Sequence, residues 1–101
     1  MNRIQKVIDL TKELLKVPED YHIGIVPASD TGAIEMLLWS LLGKRQVEVL
    51  SWESFGNDWV KDITNQLKLS NTKVTKAEYG QIVNLKEVDF DRDVVFTWNG
   101  T

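Results

Sequence analysis

Residues 22–36 read His22-Ile-Gly-Ile-Val-Pro-Ala-Ser-Asp-Thr-Gly-Ala-Ile-Glu-Met36. A short apolar run, typical of a buried strand, leads into small and hydroxyl residues, and these lead into a helical pattern. The free N–H groups and the positive dipole end of a helix start can bind an anion such as phosphate. Ser29 and Thr31 would add hydroxyl donors. An ordinary N-cap has the same pattern, so these residues alone leave both interpretations open.

Helices and strands alternate along the rest of the chain. Periodicity and stop residues predict helices over residues 2–16, 33–42 and 57–69, and strands over residues 22–26, 47–52, 74–79 and 94–98. Asn2 is a candidate cap of the first helix, Pro18 ends it, and Gly43 ends the second. This order predicts an α/β fold with a mainly parallel sheet and crossover helices.

Polar or aromatic groups follow three of the predicted strands. They are the runs Ser29-Asp30-Thr31, Ser51-Trp52-Glu53 and residues 97–101. Ligands of open α/β sheets bind beyond the carboxyl ends of the strands. We therefore expect the three groups to converge on one cleft.

Composition excludes several classes of function. The 101 residues carry a net charge of −3 and no cysteine. An acidic chain with scattered basic residues is not expected to bind nucleic acid or an anionic membrane. The lack of cysteine excludes disulfides and thiolate metal sites, and it fits a cytoplasmic protein. We expect neither a signal peptide nor a membrane-spanning segment, because no apolar run is long enough.

Three segments carry a resemblance to a known family. They are Pro27-Ala-Ser-Asp-Thr-Gly-Ala-Ile-Glu-Met-Leu-Leu-Trp-Ser-Leu-Leu-Gly43, Val49-Leu-Ser-Trp-Glu-Ser-Phe-Gly56 and Asp91-Arg-Asp-Val-Val-Phe-Thr-Trp-Asn-Gly-Thr101. In this order they resemble the bacterial-type phosphoserine aminotransferases, fold-type I enzymes that depend on pyridoxal 5′-phosphate (PLP). Such enzymes are several times longer. The resemblance implies that residues 1–101 are an internal part of the large, cofactor-binding domain, without its C-terminal half.

The resemblance also implies a set of cofactor contacts. Ser29, Asp30 and Thr31 match the phosphate cup, in which the Asp30 side chain would turn away and cap the helix. Trp52 matches the aromatic residue that stacks on the pyridine ring, although a core tryptophan at a strand end is the ordinary alternative. Thr101 matches a threonine that contributes a hydroxyl group, but here it lies beside a terminal carboxylate that would repel an anion.

The remaining candidates favour structural roles. We expect Trp39, Trp59 and Trp98 in the core and His22 as a structural residue. Asp89, Asp91 and Asp93 alternate as at the start of a calcium loop, but the glycine and glutamate that such a loop needs are missing.

The implied reaction is transfer of an amino group from L-glutamate to 3-phosphohydroxypyruvate, or to a related phosphorylated 2-oxo acid, in serine biosynthesis. In the family, the lysine that binds the cofactor and the acid at the pyridine nitrogen follow the Asn-Gly-Thr segment. None of the lysines here, such as Lys44, Lys61 and Lys68, matches that position. We therefore expect no catalytic residue in this chain, weak or absent PLP binding and no turnover by the chain alone. The alternative is a non-catalytic α/β module that binds phosphate or a nucleotide.

Assembly follows from the same resemblance. In fold-type I enzymes the strand matching residues 23–26 pairs with a strand from much later in the chain. An unpaired apolar strand and uncovered apolar faces of the helices at 33–42 and 57–69 predict a homo-oligomer, most simply a two-fold dimer.

Overall fold

The structure is a computed structural model that describes residues 2–98. The helices are α1 (Arg3–Leu15), α2 (Ser29–Leu41) and α3 (Ser54–Lys61), which continues as a π-helix, Asp62–Gln66. The strands are β1 (Val47–Ser51), β2 (Thr72–Lys76) and β3 (Asp93–Val95), and a short 3-10 helix, Leu85–Glu87, lies between β2 and β3. The chain divides into two compact units, one up to Ala33 and the other from Ile34.

The first helix has the predicted ends. The Asn2 side chain accepts a hydrogen bond from the Ile4 N–H at 2.9 Å, which caps the start of α1. Lys16 adopts the left-handed conformation with φ 52° and donates its N–H to the Glu13 carbonyl, which closes the other end. Pro18 follows two residues later.

The predicted strand over residues 22–26 is wrong, because residues 21–26 form neither helix nor strand. A strand persists only where a neighbouring strand pairs with its N–H and C=O groups. Within residues 2–33 no segment supplies that pairing. The apolar pattern of residues 23–26 is therefore not sufficient by itself to form a strand.

The sheet confirms the predicted α/β class. Within residues 2–98 it has three strands in the order β2-β1-β3, and both pairings are parallel. Val47 lies opposite Thr72 on one side and Asp93 on the other. Because β1 is central, all five of its residues are buried.

Each face of β1 contributes to its own core cluster in the second unit. Val47 and Val49 face a cluster that contains Leu38, Trp59, Val60 and Ile63. Leu50 lies on the opposite face with Trp52, Val83 and Val88. The period of two along a strand explains this division, and it leaves Trp52 at the end of the second face.

Several predicted boundaries and core positions differ from the structure. The third helix begins at Ser54, three residues before the prediction, and the Leu67 N–H donates to the Asp62 carbonyl in a π-helical turn. Trp59 is in the core as expected, but Trp39 is 59% exposed and Trp98 is 69% exposed. Helix α2 buries the face of Leu38, from which its neighbour Trp39 turns away. Trp98 lies beyond the end of β3.

Candidate functional site

The predicted phosphate cup lies at the start of α2. Ser29, Asp30 and Thr31 are the first three residues of this helix, and their side chains are exposed. Ala28 and Ser29 both have positive φ, 69° and 61°, which is uncommon for residues other than glycine. Backbone in such conformations clusters at ligand-binding sites. This sharp turn delivers the hydroxyl residues to the N-terminal end of the helix.

Glycine is required just inside this helix. A Cβ atom at Gly32 would lie 2.7 Å from the Pro27 carbonyl oxygen and 2.9 Å from the Ala28 Cβ. The Gly32 N–H donates to the Ala28 carbonyl at 3.0 Å. The turn is thus folded directly onto the first turn of α2, and only a residue without a side chain allows that approach.

The start of α2 fits a phosphate group. The first N–H groups of a helix have no intrahelical acceptor, and the helix dipole favours an anion there. Ser29 and Thr31 lie in the same turn, and each has an exposed hydroxyl group that can donate a hydrogen bond. The carboxylate of Asp30 is also in the first turn and would compete with an anion unless it points away.

Trp52 follows the carboxyl end of β1, where a ligand-binding residue was predicted. Its indole is 7% exposed and packs in the cluster with Leu50, Val83 and Val88. Trp98 lies edge-on against it, with ring centroids 6.1 Å apart and an interplanar angle of 90°. Trp52 is thus a core residue in this structure.

A cleft opens beside Trp52 at the carboxyl ends of β1 and β2. Its volume is about 720 Å³, and its lining includes the residues after both strands, the first two turns of α3 and residues 81–84. Across it the Lys76 ammonium donates to the Asn57 side-chain oxygen at 3.2 Å. This is the edge of a parallel sheet at which ligands are expected.

Two buried carboxylates of this region were not anticipated. The first is Glu53, whose side chain caps α3 by accepting hydrogen bonds from the Phe55 and Gly56 N–H groups. Glutamate is not a favoured capping residue. The sequence signal that could have found it is the glycine three residues later.

The second buried carboxylate is Glu48, the second residue of β1. It accepts hydrogen bonds from the Thr75 hydroxyl at 2.9 Å and the Asp89 N–H at 2.8 Å, and Lys73 lies 3.3 Å away. Burial raises the pKa of Glu48, but these donors and the ammonium outweigh burial, so its pKa lies below the ordinary value. A charged residue inside the run Val47-Glu48-Val49-Leu50 was the available signal.

The predicted site residues belong to different units of the chain. The Ser29, Asp30 and Thr31 group belongs to the first unit and Trp52 to the second, so each part is defined within its own unit. Thr101 lies outside the described residues. Within residues 2–98, no three acidic or histidine side chains gather in a way that could hold a metal ion. None of the helices in that range has the length and apolarity to cross a membrane.

Comparison with known proteins identifies the relatives of the chain. It is 58% identical over 99 residues to the phosphoserine aminotransferases of Methanosarcina mazei and Methanosarcina barkeri. The match covers 98% of this chain and 27% of each relative, so the chain spans about a quarter of their length. No family model and no solved structure matches it.

A parallel α/β sheet with this degree of sequence identity shows that the chain corresponds to one segment of the phosphoserine aminotransferases.

Proposed function

We propose that this chain forms part of the cofactor site of an enzyme that transfers the amino group of L-glutamate to 3-phosphohydroxypyruvate or a related phosphorylated 2-oxo acid. The observation that carries the proposal is the 58% identity to two phosphoserine aminotransferases over nearly the whole chain. The same observation disfavours a self-contained phosphate- or nucleotide-binding module. A role in serine biosynthesis and a cytoplasmic location belong to the proposal.

PLP, when bound, supplies an electron-withdrawing ring for the amino transfer. The start of α2 would hold its phosphate through backbone N–H groups and the hydroxyls of Ser29 and Thr31. Trp52 would present an aromatic face to its ring. We propose the Thr101 hydroxyl as a further contact. These groups bind and orient the cofactor, and we assign none of them a proton-transfer step.

The chain alone is expected to show no transamination. In the family the lysine that binds PLP covalently follows the Asn-Gly-Thr segment, and no lysine of this sequence matches its position. The test incubates the purified 101-residue chain with PLP, L-glutamate and 3-phosphohydroxypyruvate and measures phosphoserine by mass spectrometry. The Methanosarcina mazei enzyme is the positive control. Phosphoserine formation that survives repurification of the chain would contradict the assignment.

The chain is also expected to form a homodimer. The exposed apolar side chains of α2 include Met36, Leu37 and Leu41, which form a patch that a second copy could cover. Trp59 and Val60 of α3 and Ile63 of the π-helix are buried within the chain, so the face at residues 57–69 is covered to a larger extent than the sequence analysis expected. Light scattering should therefore give about twice the 11.6 kDa of one chain.

Two substitutions on one row of α2 test this assembly. The double substitution Leu37→Lys and Leu41→Lys should give a monomer, because it places two ammonium groups in the patch. Glu35→Lys is the matched control, since Glu35 is exposed on the same helix away from the row of Leu37 and Leu41 and the substitution changes the charge by the same amount. A wild-type monomer at micromolar concentration would refute the proposed dimer.

A further inference from the structure

We propose that Glu53 is a positioning residue that fixes the main chain after Trp52 and thereby the place of the indole that the proposed function assigns to the cofactor ring. The inference rests on the proposed function, because that function assigns Trp52 its ligand. Its structural basis is independent of that function. Glu53 directly follows Trp52, and its buried carboxylate accepts hydrogen bonds from N–H groups at the start of α3.

Every acceptor of Glu53 near this turn is engaged. Its Oε2 accepts from the Phe55 N–H at 2.8 Å, and its Oε1 accepts from the Gly56 N–H. Its main-chain carbonyl accepts from the Asn57 N–H at 3.0 Å. The side chain is buried. Three hydrogen bonds from three successive residues therefore fix the backbone immediately after Trp52.

Gly56 makes room for this carboxylate. A Cβ atom at position 56 would lie 2.6 Å from Glu53 Oε1 and 3.4 Å from the Ser51 Cα. Any larger residue would push the carboxylate away from the N–H groups that it accepts from. Glu53 and Gly56 therefore act together: the glycine leaves space for the carboxylate, and the carboxylate accepts the hydrogen bonds that hold the turn.

The Glu53 carboxylate also occupies the place at the start of α3 where an anion would otherwise bind. In α2 the first-turn N–H groups accompany exposed hydroxyls, whereas in α3 a buried carboxylate of the chain itself occupies the equivalent place. A free anion is thus excluded next to Trp52, because the Glu53 carboxylate would repel it and already accepts hydrogen bonds from the Phe55 and Gly56 N–H groups. The phosphate of the cofactor is therefore not expected at the start of α3.

The first readout is the indole N–H resonance of Trp52 in the full chain, assigned by its loss in Trp52→Phe. Glu53→Ala should shift or broaden this resonance, because two N–H groups lose their acceptor and the turn relaxes. Glu53→Gln should cause a smaller change, since the amide retains one acceptor oxygen. The Trp59 indole donates to the Thr97 hydroxyl at 3.1 Å in the other core cluster and should stay in place.

The second readout compares two ligands. In NMR titrations Glu53→Ala should weaken PLP binding about three- to tenfold, the range expected for a displaced aromatic contact. Binding of inorganic phosphate at the start of α2 should be unchanged, because Glu53 does not serve the phosphate cup. Asp91→Ala removes an exposed carboxylate from the same unit and is the control.

The two readouts distinguish a positioning role of Glu53 from a general loss of structure. A Trp52 resonance that is unchanged in Glu53→Ala overturns the positioning role, whatever happens to PLP. Equal weakening of PLP and phosphate overturns it as well, since that pattern indicates general loss of structure. If the wild-type chain binds neither PLP nor inorganic phosphate, the proposed cofactor site fails, while the indole resonance still decides the positioning role. If Glu53→Ala does not fold, Glu53→Gln is judged by the same two readouts.

Discussion

Thr31→Glu is expected to abolish binding of inorganic phosphate and PLP. The substitution places a carboxylate in the first turn of α2, where the proposed site holds the phosphate. At an effective dielectric constant of about 20, two unit charges about 4 Å apart repel by about 4 kcal/mol, roughly a thousandfold in the dissociation constant. The helix itself should persist, because an acidic residue in the first turn interacts favourably with the helix dipole.

Chemical-shift titration with phosphate and with PLP measures this effect. Thr31→Val removes the hydroxyl without adding charge and should weaken binding only partly. Ser70→Glu adds the same charge at an exposed loop position between the π-helix and β2 and should leave binding intact. If Thr31→Glu binds phosphate as well as wild type does, the anion site is not at the start of α2.

Glu48→Ala is expected to lower the free energy of unfolding by about 2–4 kcal/mol, the cost of unpairing a buried ion pair and its hydrogen bonds. The substitution leaves the Asp89 N–H and the Thr75 hydroxyl without their acceptor. The Lys73 side chain is 44% exposed and can be solvated, which keeps the loss toward the lower end. Urea denaturation measures the change.

The pH dependence of stability should identify the same carboxylate. The pKa of Glu48 is lowered in the folded chain from the ordinary 4.5, although burial alone would raise it. Its ionised form therefore stabilises the fold fully above pH 4.5, and this contribution is lost as the pH falls through the lower, folded pKa. Wild type should lose more stability than Glu48→Gln across that acid range.

Glu78→Ala is the control for both measurements, because Glu78 is an exposed carboxylate in the same unit. It should change neither the unfolding free energy nor its acid dependence appreciably. A Glu48→Ala chain with wild-type stability would show that the three contacts of this carboxylate contribute nothing net. Parallel acid profiles for wild type and Glu48→Gln would show that another group titrates.

Local sequence patterns were sufficient to predict an element whose backbone hydrogen bonds form within one segment of the chain. Asn2 and Pro18 bracket α1 as expected, because a helix forms its hydrogen bonds within one segment. The strand predicted over residues 22–26 from its local pattern is absent, because a strand takes its hydrogen bonds from another strand. The period of the apolar residues predicted the buried face of α3 but could not show that its last turn is a π-helix.

The sequence by itself determined the α/β class, the similarity to phosphoserine aminotransferases and the small hydroxyl residues at the start of α2. These properties reside in periodicity and in motifs that are contiguous along the chain. Only the tertiary structure decided that Glu48 and Glu53 are buried and paired, that β1 is central, and that Trp98 lies against Trp52. Such facts depend on residues far apart in the chain, as with Glu48 and Asp89, and burial and hydrogen bonding arise only where folding brings those residues together.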